Sequence, residues 1–585
     1  MGNASQSGAS QDSYFENSGL TYKGGADGTQ EDKFGTIIST TNNSYGIVFN
    51  TENGSQATMK GDLVFSAYNN NGADRGSIYG IRINTKGNTL VKSNGKTIKI
   101  QFQGLAPSSG NPNAKSYVMN NNGGEFTLGE GIYILTGTED KGSNDRVAIL
   151  NNQWSSKVND KDNYRNSNNY LFENGSSTIF SKLSDASKDN AGILTSGASV
   201  HTNFELTGGS QVTFKEINTS NPSSSNNNKQ SYGIYSNAEG NFNLKLNEGS
   251  TLTFEKIIGE SYALGILQDS DAWNSKHILK DSTLHFKHIE SNKSGAEGLT
   301  NRGQYTLYDL SNSTIQFDLL KSGNGAVKGI TTGSKDGTFY NLSNNSRLIF
   351  NKIEGNRTNP NGYETAVAMY FNKNANFNLD SSSYILFKEI TSNDWMSIIS
   401  LENQANVTFN GGKILFDQIT STSERSSIEL VSLKTGTITL DNHAQILFGK
   451  TSIENDQNTN GNVRGIVYSG TISGNGSIIF TDKMAYTSLA YDNSNHTQNF
   501  FNGAKIYADS VNLTLLRAGA NATLNVNLNN VFYGGTLEEG AKLAVTEGNR
   551  NLNLTMGNGA KLVLNSRDVK SAQVDLGVID NLKGL

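Results

Sequence analysis

Phe204-Glu-Leu-Thr-Gly-Gly-Ser-Gln-Val-Thr-Phe214-Lys-Glu-Ile217 returns as Phe242-Asn-Leu-Lys-Leu-Asn-Glu-Gly-Ser-Thr-Leu-Thr-Phe254-Glu-Lys-Ile257. Further copies close at Phe286-Lys-His-Ile289, Phe317-Asp-Leu-Leu320, Phe350-Asn-Lys-Ile353, Phe387-Lys-Glu-Ile390, Phe416-Asp-Gln-Ile419 and Phe448, and a degenerate one closes at Phe480. Weaker versions run back through Phe180, Leu135, Phe102 and Phe65. Between copies stands a second phrase: Tyr232-Gly-Ile-Tyr, Leu264-Gly-Ile-Leu, Lys328-Gly-Ile-Thr and Arg464-Gly-Ile-Val, with earlier forms at Tyr45 and Tyr79.

Each period therefore holds three short pieces: Gly-Ile-x-x, then Asn-Phe-x-Leu, then Ser-x-Leu-x-Phe-x-x-Ile. Apolar and polar residues alternate within each piece, the two-residue period of a half-buried strand. Polar corners of Gly-Ser, Asn-Gly and Asn-Asn separate the pieces, and no helical stripe of useful length occurs. A unit that cannot bury its apolar edge alone must stack on copies of itself. The expected fold is an all-β, right-handed parallel β-helix (β-solenoid) with three short strands per coil. About fifteen coils at roughly 4.8 Å each would form a rod on the order of 70 Å long. Asn203, Asn241 and Asn376 stand just before the second strand, where an internal asparagine ladder is expected, since Asn tolerates left-handed turns.

The 585 residues exceed a single compact core, yet the Asn/Ser/Gly/Thr texture is uniform and no linker interrupts it. The expected organisation is a polar amino-terminal segment or cap over 1–35, degenerate coils over 36–200, regular repeats over 201–480, and shorter-period coils over 481–585 as a carboxy-terminal cap. Four prolines and 62 glycines without a triplet period exclude a Pro-rich stalk and collagen. A net charge of −5 gives no basic footprint for nucleic acid. No apolar run is long enough to cross a bilayer. The absence of cysteine removes disulfides, thiol nucleophiles and Cys-type zinc sites together. Met1-Gly2-Asn3-Ala4-Ser5-Gln6 has neither the basic nor the apolar part of a signal peptide, and Gln6 misses the myristoylation pattern.

The longest polar inserts follow the Phe-x-x-Ile piece and precede the next Gly-Ile piece: Asn218–Ser231, Gly355–Glu364, Thr391–Ser397, Ser452–Val463 and the matching Leu105–Lys115. On a solenoid they line one corner, the place where repeat proteins present a binding face. The candidate contact residues along that edge are Asn221, Pro222, Trp273, Arg357, Pro360 and Trp395. Trp154, like Trp273 and Trp395, lies outside the repeat consensus.

Such cysteine-free, Asn/Ser/Gly-rich coils resemble the passenger domains of type V autotransporters, above all the vacuolating-cytotoxin-like and adhesin passengers of epsilonproteobacteria. The resemblance covers most of the chain and rests on a repeat pattern. It implies export, passage through the protein's own carboxy-terminal outer-membrane barrel, and display or release at the cell surface. The signal peptide, the barrel and the cytotoxin's amino-terminal Gly-zipper segment have no counterpart in these residues. The function expected is an adhesin or host-interaction passenger recognising a host cell-surface protein or glycan. A toxin-like passenger acting on host cells or membranes is the alternative, and a polysaccharide lyase or hydrolase the second alternative.

No catalytic constellation supports an enzyme, and no cofactor is expected. Asp160/Asp162 and Asp269/Asp271 have the spacing of paired carboxylates, but both lie in loop-like stretches without companion residues. Asp456, Asn458 and Asn460 match the first half of a calcium loop, whose twelfth position is Val467 instead of a bidentate Glu. His285 and His288, three apart on a strand, are expected on opposite faces. Glu216-Ile-Asn218-Thr-Ser220, Glu290-Ser-Asn292-Lys-Ser294 and Glu354-Gly-Asn356-Arg-Thr358 fit the acidic sequon of bacterial N-glycosylation, all just after the third strand.

Overall fold

The computed structural model describes most of residues 88–480. It leaves out 104–115, 122–124, 138–145, 152–166, 185–188, 197–199, 220–228, 238–240, 271, 334, 359–363, 423–426, 454–461 and 469; before and after that span only short strands are described. The described residues contain strands and turns and no helix. They form an all-β parallel solenoid with about nine turns. The chain divides into two compact units, Met1–Asp318 and Leu319–Leu585.

In the first unit every coil has three strands. Asn190–Thr195, Gln230–Ser236, Tyr262–Gln268 and Gly295–Asn301 build the first sheet, each parallel to the last. His201–Leu206, Asn241–Leu246, Asn274–Lys280 and Thr306–Ser311 build the second. Ser177–Ser184, Gln211–Asn218, Thr251–Phe254 with Ile257–Gly259, and Thr283–Ser291 build the third. The second unit repeats the plan. Its first sheet holds Val327–Thr332, Glu364–Phe371, Trp395–Leu401, Ser427–Leu433 and Asn462–Tyr468. Its third holds Arg347–Gly355, Tyr384–Ser392, Lys413–Ser421 and Gln445–Ile453.

The anchor phenylalanines of the third strands stack face to face. Ring centroids lie 4.7 Å apart for Phe180–Phe214, 4.8 Å for Phe214–Phe254, 4.9 Å for Phe254–Phe286 and 4.7 Å for Phe286–Phe317. In the second unit Phe350–Phe387, Phe387–Phe416 and Phe416–Phe448 are 4.6, 5.0 and 4.9 Å apart. All are buried, because each coil covers the rings of the one below. The column continues from Phe180 to Leu135 and then to Ile100, so Phe102 stands two positions further along its strand, opposite Gly137.

The Gly-Ile phrase has a steric cause. A Cβ on Gly265 would lie 2.7 Å from the Gly298 carbonyl oxygen and 3.0 Å from both Ile289 Cδ1 and the Phe317 ring. Backbone and core close over the position together, and neither can retreat without moving a coil. Gly265→Ala is expected to destabilise the first unit by about 1–3 kcal/mol, the usual cost of overpacking. A denaturant midpoint equal to that of the parent chain would refute the assignment.

The corner between second and third strands needs left-handed backbone. It is supplied by Gly208 and Gly209 and by Glu248 and Gly249 in the first unit, and by Asn344 and Asn345 and Asn442 and His443 in the second. A buried serine then closes several of these turns: Ser210 Oγ donates to the Thr207 carbonyl at 2.7 Å and Ser346 Oγ to that of Ser343 at 2.6 Å. The asparagine ladder exists but lies on the outer face of the second sheet. Asn203 Nδ2 donates to Asn169 Oδ1 at 2.7 Å, and Asn243 Nδ2 to Asn203 Oδ1 at 2.8 Å. In the second unit Asn378 bonds Asn341 and Asn410 bonds Asn378 in the same manner. Asn203 thus belongs to it mid-strand, Asn376 stands two positions before the ladder residue Asn378, and the side chain of Asn241 lies outside the described residues.

Candidate binding face

Two outward columns run along the first sheet, three residues apart because the glycine position between them turns inward. In the first unit one column carries Ala191, Tyr232 and Leu264, and the other Leu194, Tyr235 and Leu267. With Tyr117 they form an apolar cluster outside the coil interior. Tyr232 and Tyr235 stack at 4.4 Å. The Tyr232 hydroxyl donates to Gln230 Oε1 at 2.7 Å, and that of Tyr235 to Asp269 Oδ2 at 3.0 Å. Burial, and then neighbouring Asp carboxylates, push both phenols up, so both stay protonated.

The first unit's columns end on Glu297 and Thr300, and in the second unit the equivalent positions are mostly polar. One carries Lys328, Val367, Ser397, Glu429 and Arg464; the other carries Thr331, Tyr370, Ser400 and Ser432. Glu364 and Trp395 pair at the leading edge. Lys328 Nζ lies 3.9 Å from the centre of the Tyr370 ring. The Tyr370 hydroxyl donates to Glu402 Oε2 at 3.0 Å, and Lys434 Nζ meets Glu402 Oε1 at 2.6 Å. Burial alone would raise Glu402, but the Lys434 ammonium and the Tyr370 hydroxyl hold it below the usual carboxylate value. Arg464 meets the buried Glu429 at 3.4 Å. Burial raises the Glu364 carboxyl, and a hydrogen bond with the Ser397 hydroxyl opposes that only in part.

The residues expected along the insert edge divide. Trp395 opens the strand Trp395–Leu401, and Arg357 stands in the connection before Glu364–Phe371, so both lie on the side where third strands lead into first strands. The Arg357 amide donates to Asn393 Oδ1 at 2.8 Å, and Asn393 Nδ2 returns a bond to the Arg357 carbonyl at 2.8 Å. Trp273, 36% exposed, lies instead on the corner between first and second strands. Asn221, Pro222 and Pro360 lie outside the described residues, as do Trp154, Asp160, Asp162, Asp271, Asp456, Asn458 and Asn460. Thr391–Ser397 is not an insert: the third strand ends at Ser392 and the first begins at Trp395, with only Asn393 and Asp394 between.

His285 and His288 both face outward, since the strand Thr283–Ser291 changes phase between them. Each is held by a separate carboxylate, His285 by Asp318 at 2.7 Å and His288 by Glu290 at 2.9 Å. Asp269 is engaged by Tyr235 and by the Ser270 amide at 2.8 Å. The three sequon asparagines stand at the ends of third strands, and Asn218 and Asn356 donate to Glu216 and Glu354 of their own sequons at 2.8 and 2.9 Å. Asn292 is exposed and donates to Glu260 Oε2 at 2.9 Å. Among the described residues no group of three His, Asp or Glu could hold a metal ion, and no helix is long and apolar enough to cross a membrane. A narrow gap inside the coils, lined by Val91, Ile100, Met119, Phe126, Tyr133 and Leu135, is apolar and offers no recognition chemistry.

The chain matches no family model, and no curated protein and no solved structure is similar to it.

Proposed function

We propose that this chain is an exported bacterial surface protein that binds a host cell-surface protein or glycan along one side of a rigid solenoid. The carrying observation is where the coils vary. Between residues 88 and 480 the third strand follows the second through two to four residues and the second follows the first through two to five, with one exception of fifteen at 152–166, whereas the connection from third to first strand varies from coil to coil, from two residues at Asn393–Asp394 to twelve between Gln103 and Ser116. Those connections border the first sheet, whose outer columns hold tyrosines, a tryptophan and paired charges. A rigid sheet beside loops of variable length is the usual economy of repeat binding proteins.

The finer architecture belongs to the same proposal: a right-handed solenoid of about fifteen coils, delivered to the cell surface through its own outer-membrane barrel as an autotransporter-like passenger. Parallel strands joined by a crossover are right-handed in about 98% of cases. A chain without cysteine also suits transit through an oxidising compartment.

Trimming 220–228, 359–363, 423–426 and 454–461 to two-residue turns should abolish attachment of the purified chain to host epithelial cells while leaving its circular dichroism unchanged. Undiminished attachment by the folded, trimmed chain would remove the edge from consideration.

A further inference from the structure

We propose that the outer face of the second unit's third sheet pairs with the same face of a second copy of this chain, in a parallel two-fold dimer. The third strands present three outward columns, at three positions and one position before the anchor phenylalanine and at one position after it. The middle column reads Ile349, Leu386, Leu415, Leu447 and Ile479, register partners in five successive coils. Each is half-buried, covered along the column by its neighbours and open outward. Five coils at roughly 4.8 Å each make an aliphatic strip about 20 Å long. Apolar residues scattered singly on a surface need no explanation, but a contiguous strip marks an interaction site. The strip is no requirement of the fold, since the first unit's third sheet carries Thr213, Thr253 and His285 at the same position of the coil.

The flanking columns select the occupant. On one side stand Tyr384 and Lys413, on the other Lys388 and Asp417. Among the described residues Lys388, Lys413 and Asp417 take part in no ion pair, whereas one position further along the strands Lys352 meets Glu389 at 3.0 Å. A two-fold axis running along the aliphatic column lays the column on itself, coil against like coil, and each flank on the partner's opposite flank. Lys413 then faces the partner's Asp417, Asp417 faces the partner's Lys413, and the Tyr384 ring faces the partner's Lys388. Two charge pairs and two cation–π contacts thus border an apolar centre. Sheets packed face to face lie about 10 Å apart, a gap that a lysine and an aspartate side chain span together. The other two-fold, crossing the column at Leu415, would set Lys413 against Lys413 and Asp417 against Asp417. The charges therefore favour the parallel arrangement. This face is not the first sheet, so the inference stands apart from host recognition.

Sedimentation velocity on the full chain should show a species of twice the chain mass, with a dissociation constant on the order of 10 μM for so narrow a contact. Leu386→Lys with Leu447→Lys should raise that constant roughly a hundredfold while circular dichroism stays unchanged, because both side chains point outward. Asp417→Lys alone should weaken the dimer about tenfold, since each new lysine faces Lys413. Adding Lys413→Asp to Asp417→Lys in the same chain should restore association, because the two-fold exchanges the charges and re-forms both pairs. The swap changes only exposed side chains, so it decides the matter even where the leucine variant fails to fold. A monomer at about 100 μM would overturn the proposal. So would a dimer indifferent to the leucine changes in a folded chain, or a double swap that associates no better than the single one.

Discussion

Phe387→Ala is expected to lower the unfolding free energy of the second unit by about 3–5 kcal/mol, the largest effect of any single truncation considered. The Phe387 ring lies between Phe350 at 4.6 Å and Phe416 at 5.0 Å and has no exposed surface. Removing it uncovers one face of each neighbour and opens a gap beneath Gly329, whose own Cβ would have lain 2.8 Å from the ring. Coils held in register by parallel ladders above and below cannot collapse into that gap, so the cost belongs at the upper end of the range. Lys388→Ala, one residue on and exposed, should change stability by less than about 0.5 kcal/mol. Equal effects in urea unfolding would mean that the ring column does not hold the unit together.

Acid should weaken the first unit through His277. This residue has no exposed surface, stacks on Tyr308 at 4.7 Å, and has its Nε2 3.2 Å from Gln268 Nε2. Gln268 Oε1 accepts from Ser275 Oγ at 2.5 Å, which turns the amide nitrogen toward the ring. Protonating the imidazole would set two donors against each other in an apolar interior. Burial accordingly lowers its pKa from 6.5 to about 3. Between those values the unfolded chain binds a proton that the folded one does not. Stability is therefore complete above about pH 6.5 and falls as the pH drops toward 3. At pH 5 the loss from this residue is about 2 kcal/mol, at 1.36 kcal/mol per pH unit. His277→Phe should flatten the unfolding free energy between pH 7 and pH 5 by that amount. An unaltered pH slope would show that the ring is not held neutral by burial.

How much could be read in the chain itself follows from what each strand must exclude. The Phe-x-x-Ile strands face the interior with large side chains at fixed spacing, so their alternation shows directly. The Gly-Ile strands are legible only where a glycine is sterically required. Glu364–Phe371, Trp395–Leu401 and Ser427–Leu433 occupy the same sheet with Ala368, Ile398 and Leu430 at that position, and carry no recognisable phrase. The sequence alone therefore places Trp395 and the stretch around it in a connection, where the structure has a strand. Phe102 misleads in another way: the column follows hydrogen-bond register, and the register selects Ile100.

The candidate site was hidden for a related reason. Glu364 and Trp395 are separated by a full coil, and only the pairing of their strands brings them together. Ser397 and Ser400 look like two of many serines until the outward columns are known. The interior contact of Gln268 with His277 is likewise invisible, because a polar residue inside a coil leaves the same alternation as one outside.

The absence of cysteine permits a direct test of the stacking itself. Thr408 and Thr439 are register partners on the outer face of adjacent coils in the second unit. Neighbouring strands lie about 4.8 Å apart, within the 4.4–6.8 Å that a disulfide spans between Cα atoms. Thr408→Cys with Thr439→Cys should oxidise to an intramolecular crosslink, seen as a reductant-sensitive gel shift. Thr408→Cys with Thr437→Cys, slipped by two residues to roughly 8 Å, should stay reduced. A crosslink in the slipped pair and none in the register pair would contradict the coil stacking on which the rest depends.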